Sequence, residues 1–150
     1  MKHIIRSIAV LAALWAGPAI AADDEIVVIV NAKSAVRVLT RGDLRPIYQT
    51  TKTSWDNGDK ILPLQAQEGN STRNGFDAAV LGLDPERVQR FWVDRKIRGG
   101  NPPPKAAPNG AAILKIVGSK AEAIGYVEPR EVNANVRIVA RIRGGQVVAP

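Results

Sequence analysis

The stretch Ala66-Gln67-Glu68-Gly69-Asn70-Ser71-Thr72-Arg73-Asn74-Gly75-Phe76 brings together what an anion site requires. Gly69 opens backbone conformations closed to other residues. The amides of Asn70, Ser71 and Thr72 can then converge on one point, with hydroxyls from Ser71 and Thr72 and a full charge from Arg73. A helix starting here would add its own unpaired N–H groups and a partial positive charge. Oxyanions bind at such helix starts. A second loop, with Asn31, Lys33 and Ser34, and a third at Asn109-Gly110 would join the site if all three meet beyond the carboxyl ends of strands, where open sheets hold their ligands. The same residues also make an ordinary helix cap, with Asn70 or Ser71 accepting from backbone N–H groups. Such a cap contributes about 0.5–2 kcal/mol and requires no ligand.

Other chemistries find little support. The chain has no cysteine, and its one histidine is His3. Thiolate metal sites, cysteine nucleophiles and imidazole bases are therefore absent from everything after residue 3. There is no Gly-x-Ser-x-Gly, no carboxylate cluster at metal-ligand spacing, and no evident base for Ser71. The expectation is a binding protein, not an enzyme, with no cofactor and no metal. Trp55 and Trp92 are candidates for a sugar-stacking surface as well as for the core, and Tyr126 for a ligand contact as well as for the core.

The chain begins with Lys2, His3 and Arg6, a short apolar run over Ile8–Ala16, the breakers Gly17-Pro18, and Ala19-Ile20-Ala21 ahead of Asp23-Asp24-Glu25. A span needs roughly 20 apolar residues. The pattern predicts a signal peptide over 1–21, cleavage after Ala21, a periplasmic address, and one domain over 22–150. No later stretch has the length and apolarity of a span, so an integral membrane protein is not expected. Formal net charge is +7; removing Lys2 and Arg6 from the 21 basic residues leaves 19 against 14 acidic ones. A basic surface attracts anions, and export argues against nucleic acid as the partner.

Elements that would position the turn can be read in order. Glu25–Asn31 is a run suited to a strand buried on both faces. Thr40-x-x-Asp43 has the form of a capping box, and Pro46 should kink or shorten the helix it opens. Ile61–Leu64 is a short strand whose proline leaves pairing incomplete. A helix is predicted over Thr72–Leu81. Asp84-Pro85 starts another, ending near Arg95, with Val88, Phe91 and Trp92 inward. Arg98–Lys105 reads as an exposed loop, whose three prolines favour an extended conformation that a partner can bind. Asn109 caps a helix, Ala123–Val127 is a strand, Val136–Ile142 alternates as a half-exposed strand, and Gly144-Gly145 turns into a short arm.

Taken in order, these motifs resemble a known family. The first strand, Thr40-x-x-Asp43-Leu44, Trp55, the Gly69-Asn70-Ser71-Thr72-Arg73-x-x-Phe76 turn into a helix, and Ala123-Ile124-Gly125-Tyr126-Val127 resemble the type 2 periplasmic binding proteins, specifically the phosphate-binding component of ABC transporters. The resemblance implies an α/β fold: a three-layer helix-sheet-helix domain with a mixed, mostly parallel sheet, like one lobe of such a protein. It also implies phosphate or a related small oxyanion as ligand and an ABC transporter or envelope partner. The departures are specific. Asn70-Ser71-Thr72 stands where Ser-Gly-Thr is expected, Ala66 where the family has an arginine, and Glu122 where the strand motif begins with glycine. With one wall of the cleft, binding is expected to be weak, on the order of 4–6 kcal/mol. A homodimer or another chain would have to supply the second wall. The alternative is a periplasmic adaptor that keeps the lobe and has lost the ligand.

Overall fold

The computed structural model describes residues 25–150. The expected signal peptide, 1–21, lies outside them. The β-branched run becomes β1 (Ile26–Asn31), buried along its whole length. Its residues alternate between two cores. Val28 and Val30 face one cluster, Val27 and Ile29 the other. The first cluster lies under α1 (Arg41–Tyr48), α2 (Ser71–Val80) and α3 (Pro85–Ile97), through Leu44, Ile47, Phe76, Val80 and Val88. The second lies under α4 (Gly110–Ser119), through Ile113, Leu114 and Val117. The three layers expected are present.

Between them runs a sheet of six strands in the order β3-β2-β4-β1-β5-β6, adding β2 (Leu62–Ala66), β3 (Lys105–Ala107), β4 (Ala123–Val127), β5 (Val136–Arg143) and β6 (Gln146–Val148). The sheet is mixed. β2 pairs with β3 and β4 in parallel, whereas β1 is antiparallel to both β4 and β5, and β5 to β6. Four strands thus share a direction, and β1 and β6 oppose them. That orientation of β1 decides which loops can share a site.

All four helices start at the caps the sequence marks: Thr40 with Asp43, Asn70, Asp84 and Asn109. Differences from the sequence reading are local. α2 begins one residue earlier than expected, α3 runs on to Ile97, and β2 extends to Ala66. β3, which begins on the last residue of what reads as a proline-rich loop, is a parallel edge strand. Two buried groups fix it there, the Pro104 carbonyl accepting from Gln65 Nε2 at 2.8 Å and the Ala107 side chain.

The end of α1 carries a strained residue. The Thr50 N–H bonds the Ile47 carbonyl at 3.0 Å, and the Thr51 N–H the Pro46 carbonyl at 2.9 Å. This pairing normally places glycine in the left-handed position. Thr50 occupies it instead, at φ 55°, with its buried hydroxyl unpartnered. Left-handed backbone costs a β-branched residue about 1–2 kcal/mol. Thr50→Gly is expected to stabilise the protein by about 1 kcal/mol net of glycine's added chain entropy. Urea unfolding checks this; an unchanged or lower midpoint refutes it.

Candidate functional site

The turn after β2 is built by Gly69. Its φ of +81° and the 3.2 Å bond from the Asn70 N–H to the Gln67 carbonyl are the marks of a type II turn, which favours glycine at its third position. The turn delivers Asn70 to the start of α2, beyond the carboxyl end of β2. Here the structure corrects the convergent-amide expectation. Asn70 Oδ1 accepts from the Thr72 N–H at 2.8 Å and the Arg73 N–H at 3.4 Å. With the Asn70 amide held in the turn, the Ser71 N–H alone of the four from Asn70 to Arg73 has no bonding partner among the described residues. The Ser71 and Thr72 hydroxyls are likewise uncommitted, Ser71 exposed and Thr72 half-buried. The carboxamide oxygen takes the place of a ligand's acceptor.

Arg73 does not offer a free charge. Its side chain folds back along α2, with Nε 3.5 Å from Asp77 Oδ2 and Nη1 donating to the Ala66 carbonyl at 3.3 Å. Both side chains are nearly buried, 12% and 9% exposed. Burial pushes the Asp77 carboxyl up to about 6, against the partial opposing pull of Arg73. The hollow beside the pair, about 260 Å³, is bounded by Glu68, Asp77, Val88, Trp92 and Pro103. Two carboxylates beside one guanidinium make it unsuited to an anion. Sequence reasoning missed Asp77. Its signal was there: a carboxylate four residues after an arginine, among Phe76, Ala79 and Val80 on the apolar face of α2.

The other expected ligand residues do not reach this turn. β1 runs antiparallel to β4, with Val30 opposite Ile124, and Ile124 is level with Pro63 of β2. Asn31 therefore lies near the start of β2, at the opposite end of the sheet from Asn70. It is a structural tie: Nδ2 donates to the Val117 and Gly118 carbonyls, each at 3.0 Å, and Oδ1 accepts from the Lys33 N–H at 2.9 Å. Ser34 Oγ accepts from the Val36 N–H at 3.2 Å, and Lys33 is exposed. The start of α4 lies on the Asn70 side but is covered. Asn109 Oδ1 caps the Ala112 N–H at 2.9 Å, and a Cβ on Gly110 would fall 2.1 Å from the Glu131 carboxylate.

The aromatic residues divide. Tyr126 is core, stacked on Phe76 with centroids 4.0 Å apart. Trp92 is half-buried with the Arg95 guanidinium 5.9 Å from its centroid, and Trp55 is half-buried with Nε1 donating to the Glu122 carbonyl at 3.1 Å. The proline loop is pinned by Asn101 donating to the Thr50 carbonyl and by Gln65 donating to that of Pro104, while Arg95 ties α3 to the Gln49 carbonyl at the end of α1. No group of metal-binding side chains occurs among the described residues, and none of their helices is long and apolar enough to cross a membrane.

The architecture has clear counterparts among solved structures. An ABC-type phosphate transport receptor from Vibrio cholerae superposes with a TM-score of 0.61 at 19% identity, covering 76% of this chain and 44% of the receptor. A Clostridium perfringens structure assigned to the substrate-binding proteins of phosphate ABC transporters, with phosphate bound, gives 0.62 at 22%, over 76% and 43%. PstS from Borrelia burgdorferi gives 0.58 at 10%, over 76% and 46%. This chain has the fold of a phosphate-receptor lobe. It spans less than half the length of those proteins. No family model matches the sequence, and no curated protein sequence matches it.

Proposed function

We propose that this chain is an exported, phosphate-receptor-type lobe that meets phosphate or a related small oxyanion weakly at the start of α2, in the service of envelope phosphate transport or sensing. The observation that carries this reading is the open start of α2. Among the described residues the Ser71 N–H and the Ser71 and Thr72 hydroxyls stand uncommitted at the carboxyl end of β2. A helix start attracts negative charge. Affinity is limited because Asn70 Oδ1 already holds two amides and Asp77 neutralises Arg73. The groups at this helix start are hydrogen-bond donors suited to holding an oxyanion, so the reading is one of binding. Exported and periplasmic placement rests on the signal-peptide pattern of residues 1–21.

The same Asn70 contacts favour a second reading, in which the lobe fold serves as an envelope adaptor and ligand binding has lapsed. Asn70→Gly separates the two. Glycine is tolerated at a helix cap at a cost of a few tenths of a kcal/mol, and it releases the Thr72 and Arg73 N–H groups. Under the binding reading, phosphate affinity measured by NMR titration rises about tenfold, which corresponds to about 1.4 kcal/mol. Wild-type affinity lies in the millimolar to high-micromolar range, and Thr72→Ala weakens it. Under the adaptor reading, neither the wild type nor Asn70→Gly shows saturable shifts with phosphate or sulfate in the tens of millimolar.

A further inference from the structure

Lys33 and Ser34, which do not reach the turn, line a different hollow at the other end of the sheet. It measures about 470 Å³ and lies between the segment leaving β1 and the turn that carries Trp55. We propose that this hollow is a saccharide site, independent of the oxyanion site at α2.

Two features point to that ligand class, and a third sets the hollow apart from the oxyanion site. Trp55 packs against the core and also lines the hollow. Its ring is held by the bond from Nε1 to the Glu122 carbonyl at 3.1 Å, so the indole N–H is already satisfied. A ring fixed this way presents apolar aromatic surface without an unmet polar need, which suits the apolar face of a sugar ring. Val36 and Leu39 extend that apolar wall.

The polar side of the hollow is balanced. Lys33, Arg37 and Lys52 face it with Asp43, Asp56 and Asp59. Asp43 is held by Thr40, Lys52 pairs with Asp56 at 3.3 Å, and Asp59 accepts from Asn57 Nδ2 at 2.8 Å. A lining with equal numbers of both signs does not select a net charge. It offers donors and acceptors side by side, and a polyol satisfies both because each hydroxyl donates and accepts. Concave sites that join apolar walls to a few placed polar groups are the usual form of a small-molecule pocket.

The third feature is separation. The antiparallel course of β1 puts Lys33 and Ser34 at the far end of the sheet from Asn70, so the two ligands do not compete.

The test is an NMR titration of the signal-free protein with maltotriose and with N-acetylchitotriose. One of these is expected to shift amides of 33–39 and 52–59 saturably in the millimolar range and to leave those of 68–74 in place. Saturating phosphate should not alter the shifts. Trp55→Ala is expected to weaken binding at least tenfold. Because Trp55 also packs against the core, a second variant is needed. Asp59→Asn at the exposed rim should weaken binding several-fold while the amide spectrum elsewhere stays native. Saturable shifts confined to 68–74, or no saturation with either sugar in the tens of millimolar, overturn the proposal. So does equal binding by folded Trp55→Ala. A lost phosphate response with the sugar response intact would remove the oxyanion reading and leave this one standing.

Discussion

Replacing Phe76 with alanine is expected to remove about 4 kcal/mol of stability, the range for emptying a large aromatic from a close-packed core. Phe76 is fully buried between two tyrosines. It stacks on Tyr126 at 4.0 Å with planes 9° apart, and Tyr48 meets it edge-on at 4.5 Å. The two hydroxyls beside it have a task. The Tyr48 hydroxyl donates to the Leu64 carbonyl at 3.2 Å, and the Tyr126 hydroxyl accepts from the Ala66 N–H at 3.1 Å. These bonds hold the last residues of β2, past the point where Pro63 opposite Ile124 ends its pairing with β4. Deleting the ring therefore opens a cavity and loosens the strand that delivers the turn to α2. Against a usual total of about 5–15 kcal/mol, such a loss leaves a marginal fold. Chemical denaturation of the protein measures it, with Phe76→Leu as the milder control. A loss under about 1 kcal/mol would mean that the tyrosines close over the gap and that the triad does not brace the end of β2.

Much of this architecture was legible because it rests on local chemistry. Thr40, Asn70, Asp84 and Asn109 each cap a helix, and a capping side chain acts on residues two or three positions away. The unbroken β-branched run of β1 announced burial on both faces, and Gly125 in β4 explains itself once α4 is in place. A Cβ there would lie 2.5 Å from Ile113 Cγ2 and 3.3 Å from Val117 Cγ2. Strand direction was not legible. Nothing in Ile26–Asn31 says that it runs against β4, and that single fact moves Asn31, Lys33 and Ser34 away from the turn. The same holds for β3. Its proline-rich approach reads as a loop, and only the contact of Gln65 with Pro104, 39 residues apart, reveals the edge strand. At the candidate site the residue types suit either an anion or a cap, and the difference lies in a rotamer. Asn70 could have turned outward to a ligand; it turns inward and takes the Thr72 and Arg73 amides itself.

Arg73→Met tests the other half of that self-sufficiency, and its expected effect depends on pH. In the wild type the Asp77 carboxyl is raised from its ordinary 3.8 to about 6, because burial disfavours its charge more than Arg73 restores it. A raised carboxyl means that the folded state binds the proton more tightly than the unfolded chain. Stability should therefore increase, by about 1 kcal/mol, as pH falls from about 7 to about 5. Glu25 and Asp43 act oppositely but lower. Bonds from Arg141 and from Thr40 respectively hold their carboxyls below the ordinary values of 4.5 and 3.8, so their contributions are lost only in more acid solution. Removing the guanidinium leaves the Asp77 carboxylate buried without a counter-charge, and breaking a buried pair from one side costs about 3–5 kcal/mol. Arg73→Met is expected to lose about 3 kcal/mol near pH 8 and much less near pH 5, where the carboxyl takes up a proton and no charge needs a partner. The double variant Arg73→Met/Asp77→Leu should regain most of the loss near pH 8, since well-packed apolar pairs replace buried ion pairs at little cost. Urea unfolding across this range decides the matter. A loss independent of pH would assign Arg73 a packing role through its methylene stem and the bond to Ala66, and would free Asp77 from the account of how this turn is kept neutral.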